Sequence, residues 1–133
     1  MRECGMLLPV ASLPSRYGIG AFSKEAYDFI DTLKAAGQSF WQILPLGPTG
    51  FGDSPYQSFS AFAGNPYFID LEKLAEEGLL TREECLDADF GNDERDIDYK
   101  KIYDGRFPLL RKAYERWKEG RSPELVHELA GRK

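Results

Sequence analysis

Apolar residues change their spacing along the chain, and each change marks an element. Gly5 to Val10 is a short apolar run bounded by Gly and Pro, the pattern of a parallel strand buried on both faces. Ser23 stands where a helix N-cap is expected, with Glu25 and Asp28 near the positive end of that helix. Ala26, Phe29, Ile30, Leu33 and Ala36 recur at helical spacing, and Gly37 is placed to end the helix at C′. Phe40 to Leu46 is again nearly all apolar and predicts a second strand covered on both faces. Strand, helix and strand joined in this way imply a parallel, right-handed crossover. Both strands then end on the same side, where parallel α/β sheets and barrels place their ligand sites.

Downstream the period is helical. Asp70 can cap a helix through Leu71, Leu74 and Ala75 that ends at Gly78, and Thr81 with Glu84 has capping-box spacing. Asp87 to Asp98 is an acidic loop. Tyr103, Phe107, Leu110, Tyr114 and Trp117 step by about four, three, four and three residues, one apolar stripe of a helix over about Tyr99 to Glu119. That stripe is the expected core face, and Pro108 is expected to kink the helix or split it in two. Ser122-Pro123-Glu124 starts a last helix.

Charge separates the same two regions. Residues 1–70 carry 4 Lys/Arg and 6 Asp/Glu, whereas residues 71–133 carry 13 and 16. The first region therefore reads as core strands with uncharged loops, the second as solvated helices. A length of 133 residues suits one domain, well short of the roughly 250 of a complete (β/α)8 barrel. A net charge of −5 leaves no broad basic face and argues against nucleic acid or an anionic membrane as partner. Cys4 and Cys85 lie far apart without a C-x-x-C, so neither a disulfide framework nor a structural zinc site is expected and a reducing cytoplasm fits. Met6 to Val10 is shorter than a signal-peptide core, and the uncharged Ala35–Gly52 stretch holds too many Pro and Gly for a membrane span.

The candidate chemistry lies in the two loops after the strands. One runs from Ala11 to Gly20, the other from Gly47 to Ser58, and structured loops of this length tend to be functional. Eight of the chain's 18 aromatics fall between Phe40 and Asp70, and Phe51 and Tyr56 sit among turn formers, where a ring is presented to a ligand. Gly47-x4-Gly52-Asp53-Ser54 imitates a phosphate-binding loop, but Asp53 replaces the lysine such a loop requires and Pro48 removes a backbone donor. A nucleotide is thereby excluded. Asp53, Ser54, Tyr56 and Gln57 suit a neutral, hydroxyl-rich ligand, with the Tyr ring against the C–H face of a sugar. Equally open from the residues alone is a local Asx-turn before Pro55 with Tyr56 packed beneath it.

The segments Leu13–Gly20, Trp41–Gly50 and Gly52–Pro66 resemble the N-terminal part of the 4-α-glucanotransferases (amylomaltases, or disproportionating enzymes) of glycoside hydrolase family 77. The resemblance covers almost the whole chain but only about the first quarter of the family's length. It implies an α/β fold: the first two β/α units of a (β/α)8 barrel over residues 1–78, with substrate-cleft loops, and a helical insertion over 79–133. The implied activity is transfer of α-1,4-glucan segments between maltodextrins by a retaining mechanism, with no metal or organic cofactor. Tyr56 matches a tyrosine lining the donor sugar, and Ser54 matches a cleft residue near it; Asp53 lies beside them in the same motif. A second glucan groove is implied at Phe51, which keeps a ring without the hydroxyl, and at Tyr103.

No catalytic residue is expected within these 133 residues, because the family's nucleophile, acid and assisting carboxylate lie on later strands. His127, the only histidine, has no nucleophile near it. The chain is thus expected to be a fragment or one piece of a split enzyme, inactive alone. It is expected to associate with itself or with the rest of the barrel, since two parallel strands cannot close one. The alternatives are a non-catalytic α-glucan-binding module and an interaction domain using the Tyr103/Phe107/Tyr114/Trp117 face.

Overall fold

Residues 1–50 and 53–120 are described by the computed structural model. The crossover is present: β1 (Gly5–Leu7) pairs in parallel with β2 (Phe40–Gln42), Gly5 opposite Phe40, Met6 opposite Trp41 and Leu7 opposite Gln42, and α1 (Lys24–Ala35) connects them. Both strands are shorter than their apolar runs. The Leu8 amide still reaches the Gln42 carbonyl at 3.0 Å. Pro9 has no N–H to continue the ladder, and Val10–Ser12 turns into a short 3-10 segment.

Nor are the strands covered on both faces. Met6, Leu7 and Phe40 are 47%, 56% and 56% exposed, because α1 supplies a layer on one face only. On that side Phe29 of α1 meets Trp41 edge to face at 5.1 Å. The Trp41 indole N–H donates to the Leu8 carbonyl at 2.8 Å. Val10, Leu13 and Ala26 form the small buried cluster beneath them.

The two ends of α1 differ. At its C-terminus, Gly37 takes φ +74°. Its amide reaches the Lys34 carbonyl at 3.0 Å while the Gln38 amide reaches Leu33 at 2.9 Å, the paired bonds of a Schellman motif that only a residue free at positive φ closes without strain. At its N-terminus Ser23 occupies the cap position, but its side chain makes no capping bond. The hydroxyl instead donates to the Glu25 carboxylate at 2.6 Å.

The larger core lies in the charged region, contrary to the division expected from composition. α2 (Leu71–Glu76), α3 (Arg82–Asp87) and α4 (Tyr99–Glu119) pack Leu71, Leu80, Cys85, Phe90, Ile102, Leu109 and Ala113 around Tyr17 and Ile19 from the first loop. A high density of charge is compatible with this because each helix needs only one apolar stripe. Gly18 lets the first loop in. It sits at φ +78°, and a Cβ there would lie 2.4 Å from the Phe90 carbonyl oxygen.

Capping follows the sequence pattern. Asp70 accepts the Glu72 amide at 3.0 Å, and Thr81 and Glu84 close a full capping box. Glu84 also takes both Arg116 amino groups, at 2.7 and 2.8 Å, tying α3 to the far end of α4.

α4 departs from expectation twice. Pro108 does not split it: one helix runs from Tyr99 to Glu119. Pro108 and Asp104 are both exposed, so the carbonyl that loses its donor faces water rather than a dry core. The buried stripe is Ile102, Arg106, Leu109 and Ala113, one residue out of phase with the aromatic one. Tyr103 and Tyr114 are 57% and 53% exposed. Ile102, Leu109 and Ala113 join the core with Leu71, Leu80 and Cys85, and from the aromatic stripe Leu110 packs against that core while only partly buried. Ser122-Pro123-Glu124 and His127 lie outside the described residues, as does Phe51.

Candidate functional site

The second loop leaves the C-terminal side of β2 and is tied shut at two levels. The Asn65 amide donates to the Leu46 carbonyl at 2.8 Å, and Thr49 and Ser58 form an antiparallel bridge. Gly47 permits this closure, since a Cβ there would lie 2.5 Å from Ser58 Oγ. Inside, serine hydroxyls substitute for a ladder. Ser54 Oγ accepts the Tyr56 amide at 3.3 Å, and Ser58 Oγ donates to the Ser60 carbonyl at 2.7 Å. Ser60 Oγ in turn accepts the amides of Phe62 and Ala63 at 3.3 and 3.2 Å. Serine is abundant here because its hydroxyl both donates and accepts over one or two residues.

A cleft of about 200 Å³ opens between this loop and the turn after β1, with Val10, Thr49, Asp53, Asn65, Phe68 and Tyr99 among its walls. Asp53 is its only carboxylate among the described residues. It adopts φ +57°, a left-handed conformation unusual outside glycine that clusters at functional sites. Burial pushes the phenols of Tyr67 and Tyr99 up, and the negative charge of Asp53 adds to both shifts. Asp53 thus shares the cleft with Tyr99, the first residue of α4.

Of the residues the sequence nominated, Asp53 lines the cleft and Ser54 shapes the loop beside it. Tyr56 is 73% exposed at the loop's outer edge, so it is not packed beneath the turn. That turn is made by the Ser54 hydroxyl rather than by Asp53. Tyr103 stands apart on α4, its ring 4.7 Å from Phe107. Phe107 meets the buried Tyr67 at 6.0 Å, and Tyr67 meets Tyr99 at 6.3 Å. A continuous file of rings therefore runs from the cleft wall to the outer face of α4.

Sequence reasoning missed Thr49, Asn65 and Tyr99. Thr49 presents a buried hydroxyl with no partner among the described residues. Asn65 turns its side-chain carbonyl to the Tyr67 amide at 2.9 Å. Tyr99 carried a legible signal, being the first helical residue after the Asp98 cap, where a side chain points back toward the preceding loop. No group of three or more His, Cys, Asp or Glu side chains among the described residues could hold a metal ion, and no described helix is long and apolar enough to cross a membrane.

Residues 8–130 match the family model of the 4-alpha-glucanotransferases. The chain belongs to that family. It is 56% identical over 118 residues to the 4-alpha-glucanotransferase of Streptococcus pneumoniae (TIGR4), covering 89% of this chain and 23% of that protein. The Thermus thermophilus 4-alpha-glucanotransferase is 52% identical over 123 residues, 92% of this chain and 24% of that protein. Among solved structures, the amylomaltase of Streptococcus agalactiae in complex with acarbose superposes with a TM-score of 0.89 at 42% identity. The match takes in 98% of this chain and 26% of that one. The chain therefore spans about a quarter of the length of the relatives it matches.

Proposed function

We propose that the chain serves the transfer of α-1,4-glucan segments between maltodextrins, as the first two β/α units of a (β/α)8 barrel (residues 1–78) followed by a helical insertion (residues 79–133). The observation that carries this reading is its superposition over 98% of its length on an amylomaltase that holds acarbose. The exposed apolar faces of β1 and β2 support the barrel: Met6, Leu7 and Phe40 are the side chains that neighbouring β/α units would cover.

In this reading Tyr56 offers its ring to the apolar face of a sugar while Ser54 holds the turn that presents it. Asp53 accepts hydroxyl hydrogen bonds in the cleft. Tyr103 with Phe107 forms an outlying glucan contact; Phe51, assigned to the same groove from the sequence, lies outside the described residues. Retaining transfer needs two facing carboxylates roughly 5 Å apart, and among the described residues Asp53 has no such partner in the cleft. In this reading the chain contributes glucan contacts, and the reacting carboxylates are supplied from outside these residues. The partner is a maltodextrin, with no nucleic acid, membrane lipid or cofactor involved, and the compartment is the cytoplasm.

Titration of maltoheptaose against the chain and its Tyr56→Ala variant tests the assignment. Binding weakened by roughly tenfold or more in the variant is expected, in line with loss of a ring–sugar contact of about 1.5 kcal/mol. Equal binding by both forms, or none by the parent chain, removes Tyr56 from the site. Glucose release from maltotriose should be undetectable in either form.

A further inference from the structure

A second and roomier cavity lies away from the glucan cleft, between the N-terminus of α1 and the packing of α2 against α4. Its volume of about 680 Å³ falls in the roughly 300–1,000 Å³ range of small-molecule sites. Arg106 forms part of its wall and is only 1% exposed. Its guanidinium donates to the Ile69 carbonyl, but Nε finds no acceptor. No carboxylate among the described residues comes within ion-pair distance of it. A buried guanidinium without a direct ion pair is costly, and burial pushes its pKa down to about 10 despite the opposing charge of Asp70.

The positive end of α1 opens onto the same cavity through Ser23, Lys24 and Glu25. Ser23 does not cap the helix, and the amides of Lys24 and Glu25 meet no acceptor among the described residues. Twelve aligned residues stand behind those amides, so the terminus attracts an anion. Arg16 and Lys73 also border the cavity and form no ion pair among the described residues, whereas Lys24 and Arg82 are already paired with Asp28 and Glu72.

The remaining walls carry carboxylates, most of them engaged. Glu72 accepts the Tyr17 hydroxyl, Glu25 accepts the Ser23 hydroxyl, and Asp70 caps α2. Carboxylates with spare lone pairs repel a bare polyanion but accept hydrogen bonds from hydroxyl groups. We propose that this cavity binds a phosphoryl group carried on a polyhydroxyl body, the phosphate seated between the Arg106 guanidinium and the free amides of α1, the hydroxyls donated to Asp70 and Glu76. The phosphate supplies the direct ion pair that Arg106 lacks beside the more distant charge of Asp70, and the planar fork suits its oxygens. Neither Tyr56 nor Asp53 takes part, so this site stands or falls independently of the glucan reading.

The test is an amide-resolved NMR titration of the chain at low ionic strength with glucose 6-phosphate, inorganic phosphate and glucose. Glucose 6-phosphate should move the amide signals of Lys24 and Glu25 and the Nε signal of Arg106. Inorganic phosphate should move the same signals at higher concentration, and glucose should move none of them. Arg106→Lys keeps the charge and loses the fork, and should weaken the ester by about tenfold. The exposed double variant Arg16→Ala/Lys73→Ala should weaken it by a few fold and, being at the surface, decides the question if Arg106→Lys fails to fold. Unmoved α1 amides, or parental affinity in the folded variants, overturns the site. Equal affinity for phosphate and its ester overturns the hydroxyl assignment to Asp70 and Glu76.

Discussion

In β1 and β2, Met6, Leu7 and Phe40 are about half exposed, whereas Leu71, Cys85 and Ile102 in the three later helices are at 0%. The strand-bearing region is the more apolar in sequence, yet the charged helical region holds the better core. The contrast follows from what each element needs. A helix satisfies its own backbone and must hide only one stripe, which a second helix can cover. A parallel strand has two faces and two edges, so a pair of strands with one helix leaves most of that surface open. The helical region closes on itself together with Tyr17 and Ile19, while the strand region remains built for neighbours.

The sharpest way to break this contrast is to cut into both regions equally. Ile102→Ala should cost about 2–5 kcal/mol in chemical denaturation, against less than about 1 kcal/mol for Met6→Ala. Similar losses at the two positions would mean that the strand region is as well packed in solution as the helical one. Gly18→Ala probes the joint between the regions. Positive φ and the Phe90 carbonyl both oppose the added Cβ, so a loss of about 1–3 kcal/mol is expected. Amide exchange around Phe90 should quicken with it.

A third change sharpens the helical side. The Arg116 hydrogen bonds, followed by the Thr81 backbone, hold the Glu84 carboxyl well below the usual carboxylate range. A depressed folded-state pKa favours folding at every pH above the ordinary glutamate value of about 4.3, and that contribution is lost as the pH falls toward the folded value. Glu84→Gln should therefore lower the melting temperature at neutral pH and flatten the acid limb of the stability curve. A parallel downward shift at all pH values would refute an ionic role for Glu84. The smallest effect is expected at Tyr114→Ser on the exposed stripe of α4, within about 0.5 kcal/mol. A larger loss would restore that stripe to the core.

Local rules read directly from the chain were those with a single physical owner. The Schellman end at Gly37, the capping box at Thr81 and Glu84, the Asp70 cap and the parallel β-α-β order each depend on a few adjacent residues or on a period. The lengths of the strands were less legible, because an apolar run continues past Pro9 and Pro45 while a ladder needs a partner for every amide. The Gly47–Ser58 segment was legible as a loop, but its residues left open whether Tyr56 is presented or packed beneath a turn, and only the structure shows it 73% exposed. The loop's internal wiring was not legible, since Ser54 and Asp53 are equally able to make the turn.

What the sequence by itself determined is the strand–helix–strand order, the later helices and the ends at Gly37, Asp70 and Thr81, all consequences of backbone hydrogen bonding and periodicity within about four residues. Only the tertiary structure decided which stripe of α4 is buried, that Asp53 and Tyr99 line one cleft, and that Arg106 is enclosed near an uncapped α1. Those outcomes depend on shape and electrostatics between segments far apart in the chain. Two helical stripes one residue out of phase are both consistent with the same period, and only the surface they meet selects between them.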